Sequence, residues 1–525
     1  FNGFSATGTP QYSFNGQFTR QIGTSTTATD LADFALGVPS GVTRVVQLSE
    51  FGMRFGQLGG YAEDAWRVNS RITLNYGVRY DLFPQPTEVH DHWANLNLQT
   101  GLLKVAGING NGRRLVNTDP DCIAPRLGLA YALTSDRKTV FRAGFGESYV
   151  VPNAAGGQLY KNQPFYFTQT VTTDQNGIPS VRISDGLPVP TPLPVTNTAG
   201  ISTGSPNGVD PNLQAEKALQ ISGGVQRQLQ PNLMLSVSFV RTRTLGIEGG
   251  LNLNQSVPGA GAQGPRQPYY GINPNLVAVN VRSNWANASY NALQVLLEKR
   301  YSKGLSFNLS YTWSQFLSDG QNINGGGNWT PQNNLCIRCI YGPMPESRDQ
   351  VLVFNHVYQV PLGPGRKFVN HGVAGYVLGN WDVDGIWTAM TSQHFTPTLS
   401  TTVSNSTGGG AQRPNRVCDG NLSGSQRTLS AFFNTACFVA PAQYTYGNGG
   451  SGILLGPGFF NADLGIHRVF PLWERYQLVF RAEAFNSFNH ANFGNPGASI
   501  GTASAGVISS ANPARIIQLA LKLNF

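Results

Sequence analysis

The sequence predicts an all-β fold, an antiparallel transmembrane β-barrel. Three observations lead there. Short stretches alternate strictly between apolar and polar residues. The connections between those stretches alternate between short and long. Aromatic residues collect near the ends of the alternating stretches.

The composition bounds the reading. The chain has 525 residues, of which 40% are apolar and only 12% charged, against about 25% charged in ordinary soluble domains. It holds 62 Gly, and aromatics make up 11%. That mixture suits many strands joined by Gly-rich loops. No run of about 18 or more apolar residues occurs, so no helix is expected to cross a membrane. The opening FNGFSATG has no Met, basic stretch or apolar run, so no signal peptide is expected in this sequence. The formal charge is +9, yet Lys and Arg are scattered and form no basic run or helix. A nucleic-acid partner is therefore not expected. Five Cys are too few for a disulfide scaffold in a chain this long.

Alternation marks strands at 11–20, 43–51, 56–66, 71–83, 126–133, 138–149, 217–228, 233–244, 288–300, 305–317, 351–361, 374–390, 459–469, 474–486 and 513–525. Successive strand side chains point to opposite faces. In RITLNYGVRYD, Ile72, Leu74, Tyr76, Val78 and Tyr80 share one face, and Arg71, Thr73, Asn75, Arg79 and Asp81 share the other. In LSFNLSYTWS, Leu305, Phe307, Leu309, Tyr311 and Trp313 oppose Ser306, Asn308, Ser310, Thr312 and Ser314. The end, RIIQLALKLNF, sets Ile517, Leu519, Leu521, Leu523 and Phe525 against Gln518, Lys522 and Asn524. A soluble sandwich could hide such faces against a second sheet. A propeller would repeat every 40 to 50 residues or so, and no such period is visible.

The connections favour the membrane. RVNS, TSDRK, LQPN, SKG, PLGPGRKF and PLWE are short. Between them lie long segments at 84–125, 150–216, 245–287, 318–350, 392–458 and 487–512. Every second connection is long, so all long loops should leave one end of a cylinder. Outer-membrane barrels have short periplasmic turns and long extracellular loops. Tyr311 and Trp313 near the long-loop end, and Trp473 and Phe525 at the short-turn end, are candidates for the two aromatic girdles where lipid meets water.

These stretches also resemble a known family. YAEDAWRVNSRITLNYGVRYD (61–81), APRLGLAYALTSDRKTVFRAGFGESY (124–149), SYNALQVLLEKRYSKGLSFNLSYTWSQFLSD (289–319), FRAEAFNSFNHANFGNP (480–496) and ARIIQLALKLNF at the end are similar to TonB-dependent outer-membrane receptors. They are most similar to the Oar-like, carboxypeptidase-regulatory-like group. The resemblance runs over roughly 11–525. It implies a receptor barrel that imports a scarce ligand across the outer membrane. Its partners would be membrane lipid, lipopolysaccharide, TonB acting through a plug, and a small-molecule, oligosaccharide or peptide ligand. A TonB box and plug have no counterpart here. Receptors of this kind have about 22 strands, whereas alternation and turns mark about 15. The expectation is thus an incomplete barrel, 1–525 as one barrel portion with long extracellular loops, plug domain absent, its sheet open with edges at 11–20 and 513–525. The alternative function is a passive outer-membrane pore or a surface adhesin.

Candidate chemistry is sparse, and no enzyme, cofactor or metal is expected. GISTG (200–204) fits a nucleophile pattern but sits in a Thr/Pro/Gly loop with no helix after it. HDHW sets His90 and His92 on one face if extended, a pattern that could bind metal or simply flank a loop. GNGGSGILLGPG (447–458) has no helix to present amides to phosphate. Cys336 and Cys339 could form half a zinc site or a redox pair, but a disulfide in an oxidising compartment fits better. Cys418 and Cys437 share the longest loop, and pairing them would stabilise it by about 3 kcal/mol in the loop-entropy model. Cys122 has no assignment. By parity Arg79, Arg126, Arg142, Glu298, Asp463, Arg481 and Glu483 face the lumen, because a charge facing lipid costs several kcal/mol near the midplane.

Overall fold

The computed structural model of the protein describes residues 10–20, 30–47, 50–152, 157–171, 173–175, 178–187, 204–320, 331–345, 347–473 and 476–525. Its main feature is one long antiparallel sheet. The strands are β1 (Leu58–Arg67), β2 (Ile72–Leu82), β3 (Ile123–Ala132), β4 (Thr139–Val150), β5 (Glu216–Gln230), β6 (Leu233–Asn252), β7 (Asn280–Ser302), β8 (Leu305–Ser318), β9 (Gln350–Gln359), β10 (Trp381–Met390), β11 (Phe459–Trp473), β12 (Tyr476–Phe485) and β13 (Ile516–Asn524). Each pairs with its sequence neighbours and with no other of the thirteen. The shortest has 9 residues, enough to cross the hydrocarbon when tilted, which takes about 9–11. No helix among the described residues is long and apolar enough to cross a membrane.

Because the strands run up and down in order, the long connections all leave one end. The described residues of 83–122, 151–215, 253–279, 319–349, 391–458 and 486–515 lie there. The tight turns lie at the other end. Lys303 and Gly304 both have positive φ and close a two-residue turn between the paired Ser302 and Leu305. Such turns match the twist of the flanking strands.

The long connections form a layer with its own cores. Ala94, Leu96, Leu103, Val105, Phe165, Tyr269, Leu276, Val279 and Val281 make one. Trp93, Ala106, Val116, Leu159, Val209 and Leu213 make a second. A third joins Phe395, Phe433, Cys437, Phe438 and Leu454.

Three sequence expectations need correction. The segments 11–20 and 43–51 are not part of the long sheet. Gln11–Ser13, Gly41–Gln47 and Tyr166–Val171 form a separate three-stranded sheet in the loop layer, beside helix α1 (Asp30–Ala35). Its apolar alternation is real, but Val42 and Val46 are buried against protein. At three to seven residues these strands are too short to cross lipid. The second correction follows from the first. The sheet's N-terminal edge is β1, not 11–20, and thirteen continuous strands are described where about 15 are expected from alternation. The C-terminal edge is β13, and no ladder joins it to β1 among the described residues. The third concerns 374–390. Its first part is helix α2 (Gly372–Leu378), and only Trp381–Met390 is strand.

Candidate functional site

Directly opposed residues in a ladder share a face, so register carries a face across the whole sheet. From Arg79, which pairs with Tyr61 and Ala124, the line runs to Arg126 and Gly146. It continues through Arg142 and Gly224, Ser238, Gln294, Glu298 and Asn308, Asn355, Ile386 and Asp463. The next rows bring in Gly465 with Glu483 and His467 with Arg481. All seven candidate charges, Arg79, Arg126, Arg142, Glu298, Asp463, Arg481 and Glu483, therefore lie on one face of the sheet.

The opposite face is mainly apolar and uncovered, with Asp64, Arg241, Arg243 and Arg468 among its few charges. Leu127, Ile221, Phe239, Trp313, Leu519 and Leu521 are exposed there. Of the girdle candidates, Tyr311 and Trp313 lie on this face. The Tyr311 hydroxyl donates to Gln350 Oε1 at 3.0 Å. Phe525 lies one residue beyond β13 and is 93% exposed. The side chain of Trp473 lies outside the described residues.

The polar face carries two charge groups. On β1–β4 the arginines dominate. Arg79 grips Asp81 with two hydrogen bonds, Nε to Oδ2 and Nη2 to Oδ1, both 2.7 Å. Arg126 and Arg142 have no ion-pair partner among the described residues. A concavity of 780 Å³ is lined by Tyr61, Glu63, Asn75, Arg79 and Arg126. A smaller one of 280 Å³ continues past Arg79 and Arg126 to Asp81, Ser148 and Tyr149.

On β10–β12 acids dominate. His467 sits between two of them, Nδ1 3.0 Å from Asp384 Oδ1 and Nε2 3.4 Å from Asp382 Oδ2. Arg481 Nη2 lies 2.5 Å from Glu483 Oε1. Asp463 Oδ1 accepts from Asn461 Nδ2 and from the Asn486 amide. Glu298 lies between the groups, 3.9 Å from Arg300. Reading the sequence alone missed His467, Asp382 and Asp384 as members of this group. The period-2 pattern of WDVDGIW carries the signal once its strand starts at Trp381.

The loop layer explains the other motifs. Cys418 and Cys437 are bonded, with Sγ atoms 2.01 Å and Cα atoms 4.9 Å apart. Cys336 and Cys339 are also bonded, and the Cys339 carbonyl accepts from Arg413 Nη2 at 3.0 Å. Burial pulls the Arg413 guanidinium down to about 10. HDHW is a turn built on Glu88, whose Oε2 accepts from the His90 and His92 amides. No metal-binding cluster occurs among the described residues. GISTG lies outside them except for Gly204. In 447–458, Leu454–Leu455 pairs with His394–Phe395, and no helix follows.

A family model described as an outer membrane beta barrel domain matches residues 1–518. The chain belongs to this family. It is an outer-membrane protein, and its family is one of membrane barrels, not of enzymes. No curated protein sequence matches it. Among solved structures it is similar to the siderophore receptor PirA from Acinetobacter baumannii, at 10% identity and a TM-score of 0.44, over 93% of this chain and 52% of that one. It is also similar to the outer membrane transporter YddB from Escherichia coli, at 9% identity and 0.43, over 93% and 52%. The FrpB iron transporter from Neisseria meningitidis matches at 11% and 0.40, over 98% and 50%. The chain thus spans about half the length of these proteins.

Proposed function

We propose that the chain is the barrel portion of a TonB-dependent receptor of the Oar-like group, importing a scarce ligand across the outer membrane. The observation that carries this reading is the sheet itself. It has one mainly apolar uncovered face, one face bearing all seven candidate charges, and, among the described residues, two unpaired edges. Unpaired backbone groups in lipid cost several kcal/mol each. Edges β1 and β13 therefore call for further strands between them, as in a wider barrel than thirteen strands would make. The family match and the order of the sequence motifs point the same way.

The mechanism is binding and gating, not covalent chemistry. The long loops, at the extracellular end, capture a small-molecule, oligosaccharide or peptide ligand. The charged face lines the passage and holds a plug that TonB displaces. Arg126 and Arg142 are free to contact plug or ligand, while the Arg79–Asp81 pair is already satisfied. Lipopolysaccharide would surround the outer rim of the barrel.

Uptake by the whole protein in cells with and without TonB tests this. Transport that stops on TonB depletion is the expected result. Undiminished transport would make the protein a passive pore, and binding without transport an adhesin.

A further inference from the structure

The connection between β9 and β10, residues 360–380, is the one short-turn-end connection that contains a helix among the described residues. Helix α2, GVAGYVL, has no charged residue. Val373, Tyr376 and Val377 fall at i, i+3 and i+4, one face of a helix. Val373 is 80% exposed, and Tyr376, Val377 and Leu378 are each at least half exposed. A seven-residue helix is too short to persist in water by itself, so something must hold it.

Two devices do. The first is close backbone packing. A Cβ at Gly375 would stand 2.6 Å from the Val369 carbonyl oxygen, and one at Gly379 would stand 2.4 Å from Gly363 Cα. The second is Arg468 on β11, which is only 4% exposed. Its Nη1 donates to the Val377 carbonyl at 2.7 Å, and its Nη2 donates to that of Tyr376. These carbonyls belong to the last turn of the helix, where a cation is favoured. The guanidinium also stacks over Phe470, 4.3 Å from the ring centroid. Trp381 Nε1 donates to the Val377 carbonyl as well, at 3.1 Å.

Register decides which side of the sheet the helix takes. Arg468 pairs with Trp381 and with Phe480, and Phe480 pairs with Leu521. All four lie on the apolar face. The helix is clasped from the lipid side of the sheet and does not sit beneath the polar face. Its exposed apolar residues continue the lipid-facing band through Trp381 and Phe470. Lys367 precedes it and is exposed, its Nζ 5.1 Å over the Phe368 ring, while Arg366 Nη2 is held by Gln359 Oε1 at 3.0 Å. Apolar residues on one side, an aromatic belt and a flanking cation are the pattern of a helix lying in a membrane interface.

We infer that residues 362–380 form an interfacial foot. Helix α2 lies in the periplasmic leaflet, Val373 and Val377 among the upper acyl chains, and Lys367 at phospholipid headgroups. The foot fixes the height and tilt of β9–β11 at the periplasmic rim.

The test uses the protein in phosphatidylethanolamine and phosphatidylglycerol liposomes, with an environment-sensitive fluorophore on Val373→Cys. Nitroxide lipids labelled near the headgroup or near the chain end report depth. Lys303→Cys, in the exposed turn between β7 and β8, and Leu519→Cys, on the apolar face of β13, serve as references. The foot predicts blue-shifted emission at 373, quenched more by the shallow nitroxide than by the deep one. It predicts no quenching at 303. Water-like, unquenched emission at 373 overturns the proposal. Quenching at 519 then shows that only the foot has failed; its absence shows that membrane placement of the sheet has failed too. In an Arg468→Gln background that keeps quenching at 519, loss of quenching at 373 supports the clasp, and unchanged quenching overturns it.

Discussion

The long sheet and the loop layer use the same kinds of residue in opposite ways. In the sheet, Leu519 and Leu521 point outward and stay uncovered. In the loop layer, Trp93, Leu96, Leu159 and Leu454 are fully buried among other loop residues. Most of the sheet's charges gather on one face, with Arg468 among the exceptions on the other, while many polar groups of the loop layer are paired inside it. Asn95 Nδ2 donates to the Val209 carbonyl, and its Oδ1 accepts from the Val209 amide. Gln255 Nε2 donates to the Gln332 carbonyl, and its Oε1 accepts from the Asn334 amide. The difference is one of solvent. Lipid rewards apolar surface turned outward and leaves ladder hydrogen bonds as the main cohesive force of the sheet. Water forces the loops to make a conventional core, with most of their buried polar groups hydrogen-bonded; the Gln85 side chain, buried without a partner among the described residues, is an exception.

The largest expected effect breaks the loop core. Trp93 is fully buried, and its Nε1 donates to the Arg113 carbonyl at 2.8 Å. Trp93→Ala should destabilise the loop layer by about 3–5 kcal/mol. Hydrogen exchange should rise through 83–122 and 204–215 while the β2–β3 ladder keeps its protection. Simultaneous loss of both would mean that the two regions fold as one unit.

The next effect tests the sheet's two faces. Leu309 pairs with Leu297 and Phe354 on the apolar face, and Ser310 lies on the polar face. Leu309→Arg should cost about 2–4 kcal/mol in bilayers if it lies near the midplane. Ser310→Arg should cost far less. Equal costs in unfolding from liposomes would contradict the assignment of faces.

The same contrast explains what the sequence revealed. Alternation located the membrane strands, because one face must meet lipid and the other must not. It placed all seven charges on one face, because parity survives small errors in strand ends. It misjudged 11–20 and 43–51, because a short loop-layer sheet alternates in the same way. Only length separates the two cases. It misread 374–380, because GVAGYVL is apolar throughout and neutral between helix and strand. The group around His467 depends on neighbours that are distant in sequence, and its acids sit on a strand whose start was misplaced. Loop-layer cores join residues more than a hundred positions apart and left no local signal.

A smaller effect concerns the disulfide between Cys418 and Cys437, 19 positions apart. Cys437 also belongs to a buried apolar cluster with Phe433 and Phe438. Replacing both cysteines by serine should destabilise this loop by about 3 kcal/mol. Limited proteolysis should then cut within 415–440, with the rest of the protein unchanged. Resistance equal to that of the parent would show that the loop's own core suffices.

The smallest effect lies where the two regions meet. Cys122 immediately precedes β3 and is fully buried beside Phe83 and Ala215. Burial is the main cause that pushes its thiol from 9.0 up to about 12, with Asp119 adding to the shift. A pKa raised on folding means that the neutral thiol's contribution is complete below about pH 9. It is lost as pH rises through about 12, because the unfolded state then releases the proton first. Native protein should therefore react only slowly with a water-soluble maleimide at pH 8. Tyrosines titrate in the same window, so the decisive comparison is with Cys122→Ala. The parent's stability should fall more steeply than the variant's between pH 9 and 12. Reaction should quicken in Trp93→Ala if opening of the loop layer is what exposes the thiol. Rapid labelling of the native parent would show that the seam between sheet and loops is open to water.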